Sequence, residues 1–124
     1  MFFMIEPYEL GRLGEELAAN YLIDKGYRIL ERNWHLGHKE IDIIALQCDV
    51  LVIVEVKTRK NDEFGEPDIA VGRDKQRMLI QAADAYVRYK RLEVDVRFDI
   101  ISIVISDAEP EIEHIEDAFV CTSR

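Results

Sequence analysis

EIDIIALQCDVLVIVEVKTR, residues 40–59, decides the fold. Two runs rich in Ile and Val, residues 40–45 and 50–58, flank a short turn at Gln47-Cys48-Asp49, which predicts a β-hairpin. A turn centred between Cys48 and Asp49 sets the register. On one face Ile41 meets Val56, Ile43 meets Val54 and Ala45 meets Val52; on the other Ile44 meets Ile53. Both faces are apolar, so the hairpin is expected to be a central piece of sheet buried on two sides. The same register sets Asp42 against Glu55 and Glu40 against Lys57.

Directly opposed residues of an antiparallel pair have Cβ atoms about 4.5 to 5.5 Å apart, and like charges there are destabilising. Two carboxylates so placed in apolar surroundings are expected to take up a proton or to bind a cation. Carboxylate oxygens suit hard cations such as Mg²⁺, which keeps several waters and takes one or two protein carboxylates together with substrate phosphate. Lys57, two residues beyond Glu55, is placed to orient a water or to stabilise charge on a phosphoryl group. The plain alternative is a solvated strand face carrying a surface Glu40–Lys57 ion pair of little energy. An Asp in the facing position with Ile and Val around it weighs against that alternative.

Outward from the hairpin, residues 9–25 carry Leu10, Leu13, Leu17, Ala18, Tyr21 and Leu22 at helical spacing, with Gly26 as the stop. Glu15 flanks this apolar stripe and reaches over a sheet packed beneath it, whereas Glu16 points to the open side. Residues 27–33 are expected to form a first strand, and residues 61–72, with two Gly and one Pro, a loop. Asp74 is the expected cap of a second helix with Met78, Leu79, Ala82, Ala83, Tyr86 and Val87 as its buried stripe. Residues 97–105 form a last long strand and residues 112–119 a weak edge strand or tail. The order αβββαβ(β) implies an α/β (α+β) protein with a central sheet flanked by helices in three layers.

Length and composition bound the rest. A chain of 124 residues, 48% hydrophobic and 33% charged, is expected to be one soluble domain, residues 1–124, burying about two-thirds of its unfolded surface. No apolar run approaches the roughly 18 residues of a spanning helix, and MFFMIEPY lacks the basic start of a signal peptide, so the cytoplasm and no membrane are the expectation. Cys48 and Cys121 have no ligand spacing and are expected to be reduced thiols. The net charge of −9 weighs against a nucleic-acid partner, but residues 106–124 hold Asp107, Glu109, Glu111, Glu113, Glu116 and Asp117 against Arg124 alone, more than half of it.

GRLGEELAANYL (11–22), GYRILERNW (26–34), EIDIIA (40–45), VIVEVKTR (52–59), FGEP (64–67) and RFDI (97–100) together resemble the YraN family of bacterial endonuclease-like proteins over nearly the whole chain. The resemblance implies a restriction-endonuclease-like fold with a PD-(D/E)XK site, similar to archaeal Holliday junction resolvases. It implies Asp42 as the motif's Asp, Glu55 as its second acid, Lys57 as its Lys, and Glu15 as the first-helix acid. Ile41 stands where the motif has Pro, and Lys39 where a Gly usually precedes the acid; Pro67-Asp68 is a decoy, since it follows the ExK.

The expected activity is Mg²⁺- or Mn²⁺-dependent hydrolysis of phosphodiester bonds in DNA, branched or otherwise structured. Asp42 and Glu55 would hold the metal with the Val56 carbonyl, Glu15 would hold a metal-bound water or a second ion, and Lys57 would position the attacking water. Arg59 and Lys60 past the strand, and Arg73, Lys75 and Arg77 at the start of the second helix, are candidate phosphate contacts. A plain solvated helix end is the alternative for the last three. His35 and His38, flanking Gly37 in a loop, lack a third ligand and are expected at the surface or facing DNA. Trp34 and Phe64 are expected to anchor core or loop rather than to stack on bases. The rival class is a non-catalytic nucleic-acid- or protein-binding module, favoured by the charge and opposed by the intact acids and lysine. A homodimer follows by analogy with the resolvases.

Overall fold

The computed structural model describes residues 5–61 and 69–120. Phe64, the Pro67-Asp68 pair, most of the loop containing FGEP, and Cys121 lie outside the described residues. Helix α1 (Pro7–Asp24) is followed by β1 (Arg28–Leu36), β2 (Lys39–Gln47), β3 (Val50–Lys60), α2 (Arg73–Lys90), β4 (Asp95–Ile105) and β5 (Glu111–Phe119). The five strands form one sheet in chain order, with β3 and β4 parallel and every other neighbouring pair antiparallel. A parallel pair cannot be joined by a tight turn, and α2 supplies the crossover. The expected edge strand is present as β5.

Two apolar clusters sandwich the sheet and fix the layers. Leu10, Ala18, Ala19 and Leu22 of α1 pack on Ile43, Ala45, Val52, Val54, Ile101, Ile103 and Ile105. Leu79, Ala82, Ala83 and Tyr86 of α2 pack on the other face, against Ile44, Leu51, Ile53, Phe98 and Ile100. The sheet is therefore buried on two sides, as its unbroken Ile and Val runs require. Burying a side chain such as Leu22, which is 0% exposed, contributes about 1.5–3 kcal/mol.

Helix α1 begins with Pro at its first turn, two residues earlier than the apolar stripe implies. It ends in a Schellman motif, with Gly26 at φ 93° and the Tyr27 N–H donating to the Leu22 carbonyl at 2.9 Å. Gly14 is fixed by packing: a Cβ there would lie 1.8 Å from Thr58 Oγ1 of β3. In α2 the cap is Gly72, not Asp74; Asp74 sits in the first turn and pairs with Arg77 at 3.0 Å. A backbone already in extended conformation at Gly72 starts the helix without a side-chain acceptor. β1 runs on to Leu36, so His35 is a strand residue rather than a loop one, and Trp34 is anchored edge-on to Tyr86 with ring centroids 5.2 Å apart. No helix among the described residues is long and apolar enough to cross a membrane.

Candidate active site

The hairpin register is the expected one from Gln47↔Val50 to Ile43↔Val54, and there the paired rungs stop. Beyond that rung β2 stays with β1 out to Leu36↔Lys39, while β3 stays with β4 out to Lys60↔Ile105. The sheet forks, and Asp42 stands at the fork. Its Oδ2 accepts the Val56 N–H at 2.8 Å, so a carboxylate takes over a bond that a paired strand's carbonyl would accept.

Two expectations change at this point. Asp42 and Glu55 do not form a paired rung, and Glu40 does not face Lys57; Glu40 pairs across β1 with His35, whose Nε2 lies 3.7 Å from Glu40 Oε2. Ile41 does not share a face with Ile43: it packs in the α2 cluster, and Ile43 in the α1 cluster. The strict two-residue alternation slips at Asp42. The break has a counterpart on β1, where Asn33, between the Arg32↔Ile43 and Trp34↔Ile41 rungs, takes a left-handed φ of 51°.

At the slip Asp42 feels charges from both layers. Burial is the largest influence on its carboxyl, raising its pKa to about 7; the charge of Glu55 adds to this, the Val56 N–H opposes it, Glu15 raises it again and Lys75 lowers it. Glu55 and Lys75 belong to the α2 side and Glu15 to α1, so Asp42 is influenced from both faces of the sheet. The Glu55 side chain is only 12% exposed, and Lys75 Nζ lies 3.2 Å from its Oε2. Lys75, expected to contact phosphate, thus neutralises an acid of the site. Lys57 Nζ donates to the Ala70 carbonyl in the approach to α2.

The remaining candidates are spread around this centre. Arg59 and Lys60 close β3, both half-buried and engaged with neighbours. Arg73 is the exposed first residue of α2, and Arg77 is held by Asp74. Glu15 lines an open cleft of about 440 Å³ with Pro7, Tyr8, Gly11, Arg12, Asn33 and Glu40. Among the described residues no three His, Cys, Asp or Glu side chains stand close enough to form a ready-made metal cluster. Asp42 and Glu55 offer hard oxygen donors, two carboxylates against the single Lys75 ammonium, a donor set that suits Mg²⁺ or Mn²⁺. Glu15 reaches it only at longer range.

Residues 14–103 match the model of the uncharacterised protein family UPF0102, a span that takes in Glu15, Asp42, Glu55, Lys57 and Lys75. The chain belongs to this family. A UPF0102 protein of Phocaeicola vulgatus is 53% identical over 116 residues, covering 94% of this chain and 96% of its own. The UPF0102 protein of Parabacteroides distasonis is 46% identical over 121 residues, 98% of this chain and 100% of its own, and that of Bacteroides thetaiotaomicron is 47% identical over 116 residues.

This UPF0102 chain holds a second charged centre, one whose partners the pattern of each strand taken alone does not reveal. Asp99 of β4 is 1% exposed and is held by Arg97 through two bonds of 2.9 and 2.8 Å, by His114 Nε2 at 2.7 Å and by the Asp117 N–H at 3.0 Å. Arg97 extends the network to Tyr27 at 2.8 Å and Gln47 at 3.1 Å. The signal was available: RFDI sets an acid inside an apolar strand, as VIVEVKTR does.

Proposed function

We propose that this protein is a metal-dependent nuclease that hydrolyses phosphodiester bonds in DNA, acting on branched or otherwise structured DNA. The observation that carries this is Asp42 where the paired rungs of β2 and β3 stop, half-buried and under the influence of the Glu55 charge, with Lys57 on the same strand as Glu55. Asp42 and Glu55 would hold Mg²⁺ or Mn²⁺, assisted by the Val56 carbonyl, with Glu15 acting through water. The metal would supply Lewis-acid stabilisation of the phosphoryl oxygens. Lys57 sits two residues beyond Glu55, placed to leave the Ala70 carbonyl and orient the attacking water for in-line displacement. Arg59, Lys60, Arg73 and Arg77 would position backbone phosphates, with α2's N-terminus favouring the anion. Two copies acting as a homodimer would cut both strands.

The test is cleavage of branched, single-stranded and duplex DNA with Mg²⁺ or Mn²⁺, comparing wild type with Asp42→Asn and Lys57→Ala. Wild type is expected to cut at least one substrate, and each variant to lose on the order of 10²-fold or more in rate. No metal-dependent cleavage, or cleavage unchanged in both variants, leaves the non-catalytic binding module as the better account.

A further inference from the structure

Helix α1 contains two glycines three residues apart, and among the described residues only one has a packing reason. Gly14 is pressed against Thr58, whereas a Cβ at Gly11 would meet nothing within 4 Å among the described residues. Glycine inside a helix destabilises it relative to alanine, so an interior glycine in open space calls for another explanation. Gly11 is part of the wall of the 440 Å³ cleft that also contains Glu15. Bare backbone there leaves room, among the described residues, for the close approach of a ligand.

The lining says what that is. Tyr8 presents its ring to solvent at 73% exposure, with the Arg12 guanidinium 5.8 Å from the ring centroid. Such a pair is a surface on which a planar base stacks. Glu15 and Glu40 make the same cleft unfavourable for phosphate, but carboxylates accept hydrogen bonds from exocyclic amines such as cytosine N4. Asn33 adds an amide. The candidate phosphate contacts on α2 lie on the opposite face of the sheet, so base and backbone would be received on different sides of the fork.

We propose that this cleft binds an unpaired nucleobase with an exocyclic amino group, stacked on Tyr8, its amine accepted by Glu40, and seated over the bare backbone of Gly11. This rests on the nuclease function above and narrows it to DNA with unpaired nucleotides beside the scissile bond. The experiment measures fluorescence anisotropy of dye-labelled oligo-dC and oligo-dT with the full chain in EDTA, and Mg²⁺-dependent cleavage of the same strands, for wild type, Gly11→Leu and Tyr8→Ala. Oligo-dC is expected to bind about tenfold tighter than oligo-dT. Gly11→Leu, which fills open space and keeps or raises the melting temperature, abolishes that preference and weakens binding about tenfold. Tyr8→Ala weakens both oligonucleotides about fivefold or more. Equal affinity for the two strands, or both variants binding like wild type, overturns the cleft assignment. Cleavage by wild type that both variants reproduce sinks the cleft alone; a wild type that neither binds nor cuts sinks the nuclease function with it.

Discussion

Asp42 and Asp99 are the same kind of residue in two environments, and what separates their behaviour is how fully the charge is compensated. Both sit in central strands of the sheet among Ile and Val. Asp99 receives Arg97 in a fork-to-fork pair, His114 and a backbone N–H, and its pKa is held below the ordinary value: burial pushes it up, and the bonds from His114, Arg97 and Asp117 outweigh that push. Asp42 receives one backbone N–H and has Glu55 for a neighbour, so burial wins and its pKa rises to about 7. A buried carboxylate that is fully compensated is framework. One left short of positive charge is a place for a cation to arrive.

The largest effect that would break this contrast is removal of Asp99. Asp99→Ala strands Arg97 and His114 in the interior and is expected to lower unfolding free energy by about 3–5 kcal/mol in urea titrations. Asp42→Asn is expected to move the other way, raising the stability of the metal-free protein at pH 8 by roughly 1–3 kcal/mol while abolishing cleavage. A loss of stability in Asp42→Asn would mean that its charge is already satisfied.

The two aspartates also predict opposite pH slopes in metal-free buffer. For Asp99 the folded pKa is depressed, so its contribution is complete above the unfolded value near 3.8 and disappears as pH falls through the lower folded value. For Asp42 the folded pKa is raised, so the penalty is absent below about 3.8 and grows as pH climbs toward about 7. Urea midpoints of wild type and Asp42→Asn are expected to diverge across that window, with wild type falling behind as pH rises. The smallest effect belongs to Lys75, which neutralises Glu55 from the first turn of α2. Lys75→Met removes this internal counter-charge and is expected to tighten Mg²⁺ binding severalfold by calorimetry. Unchanged affinity would confine Lys75 to a structural ion pair.

Much of this was legible in the sequence where the chain is local. The two-residue turn at Cys48-Asp49 fixed five rungs of the hairpin, since its register follows from turn length. The stripe of α2 predicted the residues that are buried. What escaped depended on partners far along the chain. Strict alternation carried past Ile43 puts Ile41 on the wrong face, because the left-handed turn at Asn33 and the fork at Asp42 interrupt the period of two. Asp99 went unnoticed because His114 and Asp117 lie on β5, a strand that reads as weak and peripheral on its own. Lys75 reads as a phosphate contact from its cationic sequence neighbours, whereas its spatial neighbour is Glu55.

If the Asp42–Glu55 pair is a cation site, it binds Mg²⁺ in the absence of any nucleic acid. Isothermal titration of Mg²⁺ into the chelator-treated protein at pH 8 tests it most directly, with Asp42→Asn and Glu55→Gln alongside. One ion is expected to bind wild type, with affinity falling about tenfold or more in either variant; the absence of binding in wild type, or equal affinity in all three proteins, would contradict it.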